Sequence, residues 1–321
     1  MENVFVTLFD SGYLSRGLTM YESLRSVCRD FKLYIIAFDE ECEKKLYEAN
    51  LEKTIIISLS DFEDDDLLAV KGNRSRGEYC WTSTPKSVLY VFDRYNEKIC
   101  TYIDADMFFF QDPSCLIDEL EDDEVVMITE HRYSDYCDQT GISGKYCVQF
   151  MPFKNNDKAR RILEWWKERC LENCGHDPEK GICGDQKYLD NWCQQFEGVH
   201  ELKNLGGGVA PWNVNQYKFY KENDRTILKE ISTGLCAEVI FYHLHYLVFF
   251  DKGVVNLTGG LYKLPDSCLT HVYKEYIRVH EKVVNKYGLS GSGKWINEQH
   301  FRADNDNLRH DRNFYLKEMF L

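Results

Sequence analysis

Apolar residues run almost unbroken through "NVFVTLF" (3–9), "KLYIIAF" (32–38) and "KTIIISLS" (53–60). Runs of this length, rich in Val, Ile and Phe, predict strands buried on both faces. Between them "LTMYESLRSVCRDF" and "EECEKKLYEAN" switch to helical spacing. Strands alternating with helices of this length predict parallel βαβ units, and so an α/β sheet. Further on, "STPKSVLYVFDRYN" (83–96) predicts a helix with Pro85 in its first turn. "KICTYID" (98–104), "EVVMIT" (124–129) and "GKYCVQFMPF" (144–153) predict three more strands. "NNDKARRILEWWKERCLENC" predicts a helix capped by Asn155 or Asn156, with Ile162, Trp165 and Trp166 as core anchors on its apolar face. "GDQKYLDNW" begins another helix, "NLGGGVAPWNVNQY" a Gly-rich loop, and "EVIFYHLHYLVFF" (238–250) a strand. The last third reads as mostly helical, and no repeat or linker divides the chain.

One stretch breaks this order. In "KICTYIDADMFFFQDP" (98–113) a buried strand runs into Asp104 and Asp106, and the chain then returns at once to Met and three Phe. Alternate residues of an extended segment share a face, so the two carboxylates converge just past the strand. Two carboxylates in a dry place repel each other and raise one pKa unless a cation sits beside them. Oxygen ligands at that spacing suit a hard divalent ion, Mg²⁺ or Mn²⁺. Ligands of α/β sheets sit at the carboxyl ends of the strands, and "FDSGY" lies at the end of the first one.

Composition narrows the reading. With 44% hydrophobic and 14% aromatic residues, the 321-residue chain is globular, and its net charge of −14 disfavours nucleic acid and anionic membrane as partners. No secretory signal opens it, and no run of about 18 apolar residues crosses a membrane. Thirteen scattered cysteines suit reduced thiols, so the expected compartment is the cytoplasm. Cys170, Cys174, His176, Cys183 and Cys193 lie close together but lack the paired spacing of a zinc ribbon.

"TYIDADMFFFQDP" resembles the strand-end metal motif of nucleotide-sugar-dependent glycosyltransferases of the GT-A fold, in the style of the retaining family containing glycogenin and bacterial lipopolysaccharide galactosyltransferases. "VTLFDSGYLSRGLTMYESL", "WTSTPKSVLYV", "CGDQKYLDNW" and "IFYHLHYL" resemble further segments of that family in the same order, over roughly residues 3–250. The resemblance implies a mixed, mostly parallel central sheet flanked by helices. It implies a GT-A-like catalytic domain over 1–255 and a mostly helical C-terminal extension over 256–321 packed on it. It implies Asp104, Asp106 and His243 as metal ligands, with His245 competing for the third place or contacting the donor. Thr7, Asp10 and Tyr13 would meet the uracil end of the nucleotide, with Ala105 beside them. Lys86 would touch the nucleotide, and Trp212, in the Gly-rich loop, would stack on the sugar. Asp185 and Gln186 would act at the transferred sugar.

The activity so implied is metal-dependent transfer, with retention, of a sugar from a nucleotide diphosphate such as UDP to a glycan or glycolipid acceptor of surface-polysaccharide type. Peripheral membrane association would be compatible with it. The sequence departs from the family where a small Gly is expected near Tyr246. The following Lys-Pro-Trp is absent, which leaves Lys252 or Lys263 for the diphosphate. Two other classes compete: a sugar-1-phosphate nucleotidyltransferase, disfavoured by the single Arg16 in "FDSGYLSRG", and a zinc-stabilised interaction protein built on the Cys170–Cys193 region.

Overall fold

The computed structural model describes residues 2–250, 253–289 and 314–321. The first third follows the sequence pattern closely: β1 Asn3–Phe9, α1 Leu14–Val27, β2 Phe31–Ala37, α2 Glu40–Ala49 and β3 Thr54–Ser58. Next come α3 Arg76–Tyr95, β4 Ile99–Ile103, β5 Met107–Phe109, β6 Val126–Glu130, β7 Tyr146–Cys147, β8 Phe150–Lys154 and α4 Asp157–Glu172. The main sheet closes with β9 Val199–Glu201, in the order β9-β6-β8-β4-β1-β2-β3, with β7 paired to β6. β1, β2, β3 and β4 are mutually parallel, as are β6 and β9, and β8 runs antiparallel between β4 and β6. The sheet is therefore mixed and mostly parallel, as expected.

Continuous hydrophobicity in β1 has a direct cause: Val4, Val6 and Leu8 pack under α3 and α4, while Phe5 and Phe9 pack under α1. On the first side Val88, Phe92, Ile162 and Trp166 fill the layer, and on the second Leu18, Tyr21 and Leu24 do so. Trp166 is fully buried and Trp165 partly buried against the same cluster. Asn156 caps α4, its side chain accepting from the Ala159 amide.

Four expected elements differ. α3 starts seven residues earlier than the Pro85 signal suggested, because Ser75 and Glu78 form a capping box at its true start. Pro85 then lies mid-helix, in a stretch where Thr82 and Ser83 donate to the carbonyls of Glu78 and Tyr79. The run 144–153 is two strands, broken at Val148 and Gln149. The run 238–250 is also broken: β10 Phe241–His243 is followed by a turn in which the Leu247 amide donates to Leu244 and Tyr246 holds φ +60. "GDQKYLDNW" forms a 3-10 turn at Gln186–Asn191 and only four α-helical residues after it.

Beyond the sheet, Tyr217–Glu222, Arg225–Glu230 and Cys236–Glu238 form an antiparallel three-stranded unit. A helical run from Asp266 ends in α5 Lys274–Lys286, which packs on α1. Phe314–Leu316 pairs with Val254–Asn256.

The loop before β10 is held by close backbone contact. A Cβ at Gly206 would lie 1.8 Å from the Glu238 carbonyl oxygen, and the Gly206 carbonyl accepts from the Ile240 amide. Gly206→Ala should therefore cost more than about 2 kcal/mol, while Gly72→Ala, with nothing within 4 Å, should be close to neutral. Urea midpoints of the two variants check this, and equal midpoints would contradict it.

Candidate active site

Asp104 follows β4 directly, and its amide donates to the Gln149 carbonyl at 3.1 Å. Ala105 and Asp106 form a turn, so the two carboxylates converge through that turn and not through strand alternation. The chain then enters β5, which pairs antiparallel with β10 and sets His243 opposite Met107. The Leu244 amide donates to the Asp106 carbonyl at 2.9 Å and locks this register. The ladder thus carries His243 to Asp106: its Nε2 lies 3.2 Å from an Asp106 carboxylate oxygen and 3.8 Å from one of Asp104. One donor atom from each of the three lies within 4.8 Å of the others.

Burial is the largest influence on all three groups. It pushes the Asp104 carboxyl up to about 8 against the pull of His243, and repulsion from Asp106 and Asp185 adds to the rise. Burial also opposes charge on Asp106, but the charge and hydrogen bond of His243 hold that carboxyl down at about 2. His243 is desolvated as well, yet the carboxylates beside it raise its pKa. The carboxylates thus favour a proton on the imidazole, and a divalent ion on these donors would take the place of a proton on Nε2.

Gln149 prepares His243 for that role. It is fully buried, and its Oε1 lies 3.1 Å from His243 Nδ1. A proton fixed on Nδ1 leaves the Nε2 lone pair facing the carboxylates. The break between β7 and β8 creates this contact, because it turns the Gln149 backbone toward Asp104 and its amide toward His243. A lone Gln inside "YCVQFM" was the available signal, since a buried amide needs partners.

Asp185 is 5% exposed and caps no helix with its side chain. Its carbonyl accepts from Trp166 Nε1 at 2.9 Å, which fixes the backbone below the carboxyl. Burial pushes that carboxyl up to about 7, against the lowering effect of the Thr84 hydroxyl. The Tyr102 hydroxyl donates to Asp104 at 2.9 Å. α3 and β4 therefore supply a polar shell that the motifs alone did not reveal.

No family model matches the chain. The uncharacterized protein YfnD of Bacillus subtilis (strain 168) is 30% identical over 281 residues, covering 85% of this chain and 87% of YfnD. The uncharacterized protein YfnF of the same organism is 31% identical over 252 residues, covering 76% and 81%. The chain belongs to the YfnD and YfnF family. A solved active-site mutant of LgtC superimposes with a TM-score of 0.50 at 11% identity, covering 87% of this chain and 95% of that one. The galactosyltransferase LgtC in complex with donor and acceptor sugar analogs is 13% identical with a TM-score of 0.49, covering 94% and 99%. This member of the YfnD and YfnF family has the GT-A fold.

The remaining expected residues divide into two sets. Asp10 sits at the end of β1, accepts from the amides of Gly12 and Tyr13, and pairs with Arg76, which also reaches Asp39. Tyr13 opens α1 with its ring 39% exposed and the Arg16 guanidinium 4.4 Å from its centroid. Thr7, by contrast, is fully buried within the sheet and presents no surface to a base. Ala105 is nearly buried in the core.

Lys86, expected at the nucleotide, has its ammonium paired with Asp64 and lying over Phe62 in this structure. Trp212 is 3% exposed and packs edge-on against His243 and His245, so it backs the histidines and offers no open ring face. His245 stands outside the ligand group, its ring 5.9 Å from that of His243, and burial pushes it down to about 4. Gln186 donates to the Ser143 carbonyl at 2.9 Å. The glycines of 206–208 are buried and serve close packing of the protein on itself. Lys263 is exposed, and Lys252 lies outside the described residues. Among the described residues the Cys170–Cys193 thiols are free and form no metal-ligand group.

Two outcomes follow from this geometry. Gln149→Leu should weaken binding of a divalent probe ion, Mn²⁺, by about 10- to 100-fold in calorimetry, while Gln149→Glu, which keeps an acceptor, stays near wild type. Equal affinities for all three proteins would remove Gln149 from the site. The Asp185 carboxyl, raised from 3.8 to about 7, contributes stability fully present below its unfolded value and lost as pH rises through 7. In metal-free protein the melting temperature of Asp185→Asn should therefore gain on wild type between about pH 4 and about pH 8. A constant difference across that range would mean that Asp185 titrates as a solvated carboxylate.

Proposed function

We propose that this protein is a metal-dependent glycosyltransferase that moves a sugar from a nucleotide diphosphate, of UDP type, to a glycan or glycolipid acceptor with retention at the anomeric carbon. The observation that carries the reading is the meeting of Asp104, Asp106 and His243 at the carboxyl end of β4, beside buried Asp185, on a GT-A fold. The donor set of two carboxylates and one imidazole fits Mn²⁺ or Mg²⁺. LgtC, whose fold the chain shares, is a galactosyltransferase.

A bound divalent ion would supply Lewis-acid stabilisation of the departing diphosphate. The chain's own groups do the rest. Asp104, Asp106 and Nε2 of His243 hold the ion, and Gln149 orients the imidazole. Asp10 and Tyr13, at the end of β1, form the face on which the nucleoside rests. Asp185 lies under the sugar. Its carboxyl takes hydrogen bonds from sugar hydroxyls when ionised, and its charge favours positive charge developing at the anomeric carbon. Retention needs no protein base on the acceptor side, since the leaving phosphate oxygen can receive the acceptor's proton. Wall residues Trp212 and Tyr262 pack around the histidines and keep water from that side.

Thermal shift tests the reading. UDP-sugars with Mn²⁺, at about 100 times their dissociation constant, should stabilise the protein by about 2.7 kcal/mol. The shift should vanish without metal and in Asp106→Asn. Stabilisation that ignores metal and survives Asp106→Asn would overturn the metal-dependent donor site. No response to any nucleotide sugar would overturn the transferase reading itself.

A further inference from the structure

Among the described residues, Arg16 is a buried cation without an ion-pair partner. Only 7% of it is exposed, on the first turn of α1, and no carboxylate among the described residues lies within ion-pair distance of it. Nη2 donates to the Leu247 carbonyl at 2.7 Å, and the guanidinium faces the Tyr13 ring. A guanidinium carries five donors, and one carbonyl and an aromatic face supply no full negative charge to balance it. In a chain with 53 acidic residues, an Arg left unpaired in so dry a place asks for an anion from outside.

Its surroundings point the same way. Leu247 belongs to the turn that follows His243, so Arg16 sits against the back of the metal-ligand turn. The field of Arg16 reaches the Asp106 carboxyl, the Tyr276 hydroxyl and the His280 ring. Tyr276 and His280 lie on α5, which packs against α1, and both are buried. Neither the Tyr276 hydroxyl nor either His280 nitrogen has a hydrogen-bond partner among the described residues. Polar atoms from α1 and α5 are thus gathered with hydrogen bonds unmade. Lys86, the basic residue expected at the nucleotide, is committed to Asp64.

We infer that Arg16 binds the diphosphate of the ligand, forming charge-assisted hydrogen bonds to a phosphate oxygen on the side of the site opposite the carboxylates. This assignment rests on the nucleotide-sugar reading above. A planar fork matches a phosphate better than an ammonium does. The position also explains the burial: a cation held against a backbone carbonyl and an aromatic face is pre-oriented and loses little freedom when the anion arrives.

Calorimetry with Mn²⁺ and three probes, UDP, uridine and inorganic pyrophosphate, separates the possibilities. Arg16→Gln should weaken UDP and pyrophosphate by about 10- to 100-fold and leave uridine unchanged. Arg16→Lys, which keeps the charge, should recover part of the loss, and melting curves of both variants confirm that they fold. Undiminished UDP affinity in folded Arg16→Gln would overturn the assignment and leave the transferase reading standing. An equal loss for uridine would also overturn it, because Arg16 would then act through Tyr13 on the nucleoside. Wild-type protein that takes pyrophosphate through Arg16 but ignores UDP would support the anion site and overturn the nucleotide reading.

Discussion

Asp104 and Asp106 sit at the end of a buried strand where water reaches them only in part, and their mutual repulsion is eased by a positive charge. In the protein by itself His243 meets it, its imidazole 3.2 Å from Asp106. That balance is uneven. Asp106 stays a carboxylate, while Asp104, farther from the imidazole and nearer Asp185, is driven toward its neutral form. A single proton on His243 can neutralise one carboxylate, and the second remains costly. The site is therefore short of positive charge by construction, and a divalent ion is the simplest group that satisfies both carboxylates and leaves imidazole neutral.

The backbone makes this arrangement obligatory. β4 delivers Asp104, the turn at 105–106 delivers Asp106, and the short β5–β10 ladder brings His243 from more than 130 residues later in sequence. A one-residue slip in that ladder would turn His243 to the other face and bury a different side chain against the carboxylates. The Leu244 and His243 amides, donating to Asp106 and Val209, fix the register from both sides. Glycine at 206 lets the incoming loop touch the Glu238 backbone, so a packing constraint in that loop helps hold His243 against the two carboxylates.

Much of this was legible in the sequence, for identifiable reasons. β1, β2 and β3 sit in a sheet covered on both faces, so their hydrophobicity is continuous and their bounds fall within two residues of the pattern. The Asp104–Asp106 pair was legible because two charges at the end of such a strand contradict their surroundings. His243 was separable from His245 only in three dimensions, since both lie in one apolar run and the turn at Tyr246 decides which ring faces inward. The pairing of Lys86 with Asp64 was not legible, because a basic residue after a helix-compatible Pro says nothing about which acidic residue the fold brings beside it. Gln149 and Arg16 were hidden for a related reason: their roles come from what they lack or touch across the fold, not from neighbours in sequence.

The same deficit of positive charge bears on how an acidic protein would bind the diphosphate of the proposed donor. A net charge of −14 repels such a ligand at long range, and screening at physiological salt confines the repulsion to about 8 Å. Within that distance only the local charges matter. Binding must then depend on a few cations placed in contact with the phosphates, and exposed lysines elsewhere contribute little. The structure concentrates these in two places: the cation demanded by Asp104, Asp106 and His243, and the guanidinium of Arg16 behind the turn. The aspartates cannot serve an anion directly, so under the proposed function an ion of opposite charge would have to stand between them and the phosphates, which would make metal and nucleotide interdependent. Affinity for either one alone should be poor, because the ion leaves phosphate-facing positions open and the phosphate without the ion meets two carboxylates.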